Sequence, residues 1–114
     1  MNATRQQEDA FPGGRPTGGH LLFDIVVDGS AVGYLWLGPV ASDDHQWWIW
    51  DLEVTTAWQG RGVGRTVLLM AEHEVKSRGG REIGLQVFAA NAVARHLYQT
   101  LGYRETSIRL RKEL

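Results

Sequence analysis

The spacing of apolar and polar positions divides the chain into seven segments of regular structure behind a polar, glycine-rich lead. The segment 21–27, LLFDIVV, is short, β-branched and aromatic, and Asp28-Gly29-Ser30 supplies a turn before AVGYLWL, so the two runs predict a hairpin. Gly38-Pro39 closes its second strand, and a polar loop around Ser42, Asp43 and Asp44 leads to QWWIWDLEV, a third strand antiparallel to the second. At Thr55 the period changes. Val63, Val67, Leu68, Ala71 and Val75 recur at helical spacing over 62–78, and Gly79-Gly80 follows where a helix end needs left-handed backbone. Ile83, Leu85 and Val87 alternate over 82–88, which predicts a strand. Asn91 then suits the N-cap of a helix carrying Val93, Ala94, Leu97, Tyr98 and Leu101, stopped by Gly102, and 106–110 reads as a last strand. Three strands, a helix, a strand, a helix and a strand make an α/β fold: a mixed, mostly antiparallel sheet with one βαβ unit.

Residues 1–20 are a lead-in, a polar start followed by FPGGRPTGG, which cannot hold a regular element; residues 21–114 form the domain. A chain of 114 residues supports one domain, and its 43% hydrophobic content can supply the core. The absence of cysteine excludes thiol nucleophiles, cysteine zinc sites, iron–sulfur clusters and disulfides. The N-terminus lacks a basic stretch followed by an apolar one, and the longest apolar runs, such as 67–71, fall far short of the roughly 20 residues that span a bilayer. A cytoplasmic protein without membrane contact is the expectation. The net charge of -1 argues against wholesale nucleic-acid binding, but it conceals a split. Residues 1–60 carry two basic and eight acidic side chains, a net of -6, whereas 61–114 carry ten and five, a net of +5.

The segment Gln59-Gly60-Arg61-Gly62-Val63-Gly64-Arg65 lies between a predicted strand and a predicted helix. Glycines there admit close approach of a ligand, and the free N–H groups of a helix's first turn suit a phosphate. A tight strand-to-helix turn is the plainer reading. Two phosphate motifs fail on spacing. A Walker A loop needs glycine where Gln59 stands and lysine where Arg65 stands, and a dinucleotide fingerprint needs glycine at Val67 or Arg65. What remains is Q-x-x-G-x-G after a strand ending in Leu52-Glu53-Val54.

Together, IWDLEVTTAWQGRGVG and the later NAVARHLYQTLGY make the chain from Leu21 onward resemble a GNAT-type (Gcn5-related) N-acetyltransferase. The resemblance implies an acyl-CoA N-acyltransferase-like fold with acetyl-CoA as co-substrate and an amine as acceptor. Gln59, Gly60, Arg61, Gly62, Val63, Gly64 and Arg65 would hold the pyrophosphate, and Leu52, Glu53 and Val54 would line the pantetheine arm as in strand addition. Asn91 would contact the cofactor, and Tyr98 would sit beside the thioester sulfur. The basic half would then hold the polyanionic ligand. The family fold has a further strand and two helices before the hairpin, so this chain is expected to lack part of them, with 1–9 as the remnant of the second helix. A second subunit in a homodimer could cover the sheet edge so exposed.

Acetyl transfer needs a neutral amine, stabilisation of an oxyanion and a proton for the leaving thiolate. A phenol of pKa about 10 lies within a unit or two of an alkyl thiol, so Tyr98 suits the third role, although a tyrosine in the Val93, Leu97, Leu101 stripe is ordinarily amphipathic core. Asp51 and Glu53 share a strand face, and Glu53 is the candidate base, against the alternative of a solvated carboxylate. Without cysteine or a G-x-S-x-G elbow, direct transfer in a ternary complex is expected. His20, His45, His73 and His96 have no ligand spacing, so no metal is expected. Trp36, Trp47, Trp48, Trp50 and Trp58 crowd the centre of the chain as strand core or as the wall of an acceptor pocket. Two other functions fit the same turn: a catalytically idle acyl-CoA-binding or dimerising GNAT-like module, and a nucleotide-binding protein, which the failed spacings disfavour.

Overall fold

The computed structural model describes residues 2–6, 19–40 and 43–114. Five strands form one sheet in the order β1-β2-β3-β4-β5: β1 Asn2–Gln6, β2 Leu21–Val27, β3 Ser30–Val40, β4 Asp43–Val54 and β5 Glu82–Leu85. The first four pair antiparallel, and β5 lies parallel to β4. Helix α1, Val63–Ser77, is the crossover between β4 and β5, and α2, Ala92–Thr100, follows β5. The mixed sheet with a single βαβ unit is the architecture that the periodicity predicts. Among the described residues no helix is long and apolar enough to cross a membrane.

The hairpin of β2 and β3 turns on Asp28 and Gly29, with φ of 50° and 81°, and Val27 pairs with Ser30. Two positive φ values in a two-residue loop match the right-handed twist of the flanking strands. The apolar stripe of α1 is fully used. Val63, Val67, Leu68, Ala71 and Val75 are all buried against Leu21, Ile25, Val32, Leu35, Leu37, Trp47 and Ile49 of the sheet. Each fully buried Val or Leu contributes about 1.5–3 kcal/mol relative to exposure, so this helix anchors the fold.

Both helices end in the same hydrogen-bonded device. After α1, Gly80 N–H donates to Val75 C=O and Gly79 N–H to Lys76 C=O; after α2, Tyr103 N–H donates to Tyr98 C=O and Gly102 N–H to Gln99 C=O. Gly79 and Gly102 have φ of 83° and 92°, the left-handed position of a Schellman motif. Helix α2 has no fully buried residue, and Leu97, Tyr98 and Leu101 pack only partly against the core. It is held to α1 by Arg65 Nη1 donating to Thr100 Oγ1 at 3.2 Å and by Tyr103 Oη donating to Glu72 Oε2 at 3.0 Å.

Several expectations need correction. Asn2–Gln6 is a strand, not the remnant of a helix. It pairs with β2 from Asn2↔Val26 to Gln6↔Leu22, and five residues are too few to nucleate a helix, so ladder bonds to an open edge win. Gln7, Glu8, Asp9 and the FPGGRPTG stretch lie outside the described residues. Strand β3 continues through Gly38-Pro39 to Val40, with a register irregularity at Pro39/Val40 that accommodates the proline's missing N–H. Strand β4 already begins at Asp43, within the expected polar loop. Strand β5 stops at Leu85 rather than residue 88, because β4 changes register beside it. No strand forms over 106–110, whose side chains are exposed.

Candidate active site

The site begins with a bulge. Leu37 pairs with Ile49 and Trp36 with Asp51, so Trp50 is an extra residue on β4 with no partner on β3. The pairing of β4 with β5 ends at the same level, at Ile49↔Leu85. Over 50–54, β4 therefore pairs with no strand but β3 among the described residues, and its backbone groups pointing away from β3 form an edge that no strand covers. The bulge also resets the side-chain alternation. Leu52 and Val54 are half-buried against the core, whereas Asp51 and Glu53 are exposed on the opposite face.

This free edge leads into the glycine-rich turn. Gln59 Nε2 donates to Val54 C=O at 2.9 Å, tying the turn to the strand end. Gly60 and Gly62 have φ of 75° and 82°, and a Cβ on either would meet nothing within 4 Å, so the glycines serve backbone conformation and leave the space above them open. Gly62 is the N-cap of α1, and the first helical bond runs from Thr66 N–H to Gly62 C=O at 3.1 Å. The N–H groups of Val63, Gly64 and Arg65 precede that ladder at the positive end of the helix dipole. Arg61 is held over the Trp58 ring at 4.9 Å. The turn thus combines open space above Gly60 and Gly62 with the first-turn N–H groups of α1 and the Arg61 guanidinium.

Helix α2 approaches the same turn, since a Cβ on Gly64 would lie 3.6 Å from Leu97 Cδ2. Tyr98, the next residue, is half-buried, and burial pushes its phenol above the usual value. Its ring meets Tyr103 edge-on at 5.9 Å, which is the side-chain contact of the Schellman motif. Asn91, expected both as the N-cap and at the cofactor, caps α2, its Oδ1 accepting from Ala94 N–H at 3.2 Å.

On the other face of the bulge, Tyr34 Oη donates to Asp51 Oδ2 at 2.6 Å. That bond, followed by burial and the nearby Glu53, raises the Tyr34 phenol strongly. Glu53, the candidate base, lies opposite Tyr34 in the ladder. Beside them, Trp36 Nε1 donates to His20 Nδ1 at 2.9 Å, and His20 stacks on Trp50 at 5.7 Å, with burial lowering the imidazole pKa. Sequence reasoning missed Tyr34 and His20. The alternation Tyr34-Leu35-Trp36 put Tyr34 on the tryptophan face, but only the register brings it to Asp51. Among the described residues no three acidic or histidine side chains converge as a metal site.

The pairing of β4 with β5 thus ends beside an open glycine turn at the start of α1. Residues 2–103 match the acetyltransferase (GNAT) family, and the chain belongs to it. It is 32% identical over 109 residues to YdgE, an uncharacterized N-acetyltransferase of Bacillus subtilis, covering 94% of this chain and 69% of that protein. The crystal structure of YycN, an uncharacterized N-acetyltransferase of Bacillus subtilis, superposes with a TM-score of 0.80 at 29% identity, over 89% of this chain and 66% of that one. The aminoglycoside N-acetyltransferase AAC(6')-Iy, solved in complex with CoA, has a TM-score of 0.70 at 20% identity, over 86% of this chain and 79% of that one, and so shares the fold. The chain thus spans about two thirds of the length of YdgE and YycN.

Proposed function

We propose that this chain moves an acetyl group from acetyl-CoA to a primary amine of a small molecule, peptide or protein by direct transfer in a ternary complex. The observation that carries the reading is the free β4 edge over 50–54 running into the open turn at Gly60 and Gly62. The fold neighbour solved with CoA supports the same ligand. In this reading the N–H groups of Val63, Gly64 and Arg65 bind the pyrophosphate, with Gln59, Arg61 and the turn glycines around it. The backbone of Leu52, Glu53 and Val54 pairs with the amides of the pantetheine arm. Asn91 supports this wall by fixing the start of α2.

Bound there, acetyl-CoA supplies the activated acyl group. Glu53 accepts the proton that the attacking amine loses as its nitrogen bonds to the acetyl carbon, directly or through a water. Tyr98 gives its phenolic proton to the sulfur as the C–S bond breaks, and regains one from solvent. Burial keeps that phenol protonated at neutral pH, the state a general acid needs. Asp51 and Glu53 beside Trp50 and Trp36 favour a cationic acceptor. Thiol release from acetyl-CoA across a panel of polyamines, aminoglycosides, amino acids and peptides tests the proposal. Turnover with at least one amine is expected. Saturable acetyl-CoA binding without turnover on any of them would leave an acyl-CoA-binding module instead.

A further inference from the structure

The sheet face away from α1 carries a surface that neither the core nor the glycine turn uses. Among the described residues four rings lie side by side there. His20 and Trp50 stack with centroids 5.7 Å and planes 27° apart, Trp36 lies 5.9 Å from His20 and 6.1 Å from Trp50, and Trp48 meets Trp50 edge-on at 6.4 Å. Glycines make room beneath both ends of the row. A Cβ on Gly38 of β3 would stand 2.6 Å from the His20 ring, and one on Gly84 of β5 would stand 2.6 Å from the Trp48 ring. The rings therefore lie low on the backbone as a platform, and the platform is uncharged: an indole N–H only donates, so the bond from Trp36 Nε1 requires an unprotonated His20 Nδ1. Trp50, the residue that β3 passes over, stays 45% exposed at its centre. Exposed apolar surface gathered in one patch marks an interaction site.

Charge is confined to one end of this face. Strands β2, β3 and β4 contain no lysine or arginine, and three carboxylates gather round Tyr34. Asp24 and Glu53 flank it in the ladder, and Asp51 accepts its hydroxyl bond. Asp51 follows Trp50 directly, and Glu53 lies about 7 Å further along the strand. A short alkyl chain is enough to join a ring lying on Trp50 to an amino group at these carboxylates. We propose that Trp50 sets acceptor specificity and that the acceptor is an arylalkylamine, its ring stacked on Trp50 and its amino group at Asp51 and Glu53. The inference rests on acetyl transfer at this site and narrows the acceptor.

The test compares kcat/KM for 2-phenylethylamine, n-butylamine and spermidine at saturating acetyl-CoA. The arylalkylamine is expected to exceed both others by about tenfold, the effect of one aromatic pair together with the ring area it covers. Trp50→Ala is expected to bring its ratio to n-butylamine below about threefold, chiefly through KM, and Trp50→Phe to restore the preference, with the far-ultraviolet spectrum unchanged in both. Equal or higher kcat/KM for n-butylamine or spermidine would overturn the proposal while leaving acetyl transfer in place. So would a ratio that Trp50→Ala leaves as it was. Binding is read separately by saturation-transfer NMR of 2-phenylethylamine on the unaltered chain with CoA, which has no acetyl group to give. The ring protons are expected to receive more saturation than the methylene beside the nitrogen. That pattern in a chain that acetylates no amine would keep the platform and remove the acetyl-transfer reading, and its absence would remove the platform.

Discussion

Tyr98 shows how one side chain serves packing and chemistry together. It occupies the third position from the end of α2, where the Schellman turn brings Tyr103 back onto it, and the same burial that completes the cap raises its pKa. Tyr98→Phe keeps the ring contact and removes the proton. It is expected to lower kcat by about 100-fold, the low end of what a positioned general acid contributes, with acetyl-CoA affinity unchanged by titration calorimetry. Tyr34, Tyr98 and Tyr103 are all raised above 10.0. A folded-state pKa above the unfolded one contributes stability that is fully present below pH 10 and is lost as pH climbs through the folded values. Melting temperature followed by circular dichroism should therefore hold level from pH 7 to 9 and fall above 10. The fall should be shallower in Tyr103→Phe, which removes a phenol raised first by burial and then by Glu72. His20 behaves oppositely. Its depressed pKa leaves the ring neutral and its Nδ1 free to accept from Trp36, a contribution present above pH 6.5 and lost as pH drops through the folded value.

At the scale of elements, α2 shows where a binding role and a structural one must be separated. Asn91 caps the helix through Ala94 N–H, so Asn91→Ala should cost about 1 kcal/mol in urea unfolding while Asn91→Ser recovers most of it. If acetyl-CoA affinity follows stability through both variants, the residue acts by capping; an affinity loss in Asn91→Ser alone with stability retained marks a direct contact. The cap itself was legible in the sequence, as were α1 and the Asp28-Gly29 hairpin, because each rests on local chemistry or on one period repeated over four turns. The illegible parts depend on a partner strand. Nothing in QWWIWDLEV says that Trp50 is passed over, since a bulge exists only relative to β3, and the shortening of β5 follows from it. Strand β1 has no apolar alternation and owes its form to the open edge of β2. The bond from Tyr34 to Asp51 spans 17 positions and follows from the register that the bulge sets. The glycine turn was legible as a strand-to-helix turn because its demand is for backbone conformation, which the residue type declares directly.

The whole molecule couples these scales through α1, whose buried stripe carries the core and whose first turn carries the proposed anion site. The two can be separated by ligand-linked stability. A ligand at 100 times its Kd adds about 2.7 kcal/mol to a folded state that alone binds it, worth about 10 °C in a domain of this size. Acetyl-CoA should raise the melting temperature of the unaltered chain by that amount, and ATP at equal concentration by much less. Leu68→Ala, at a fully buried position, is expected to cost about 3 kcal/mol and lower the baseline while leaving the acetyl-CoA increment intact, because the cavity lies beneath the helix and not at its open end. Gly62→Val should behave in the reverse way. A β-branched side chain at φ of 82° strains the turn by about 1–2 kcal/mol, a modest loss of baseline, but it disturbs the donors of the first turn and fills the open space above them. The acetyl-CoA increment should then vanish. Equal increments in Gly62→Val and the unaltered chain would move the anion away from this turn, whatever the catalytic residues prove to be.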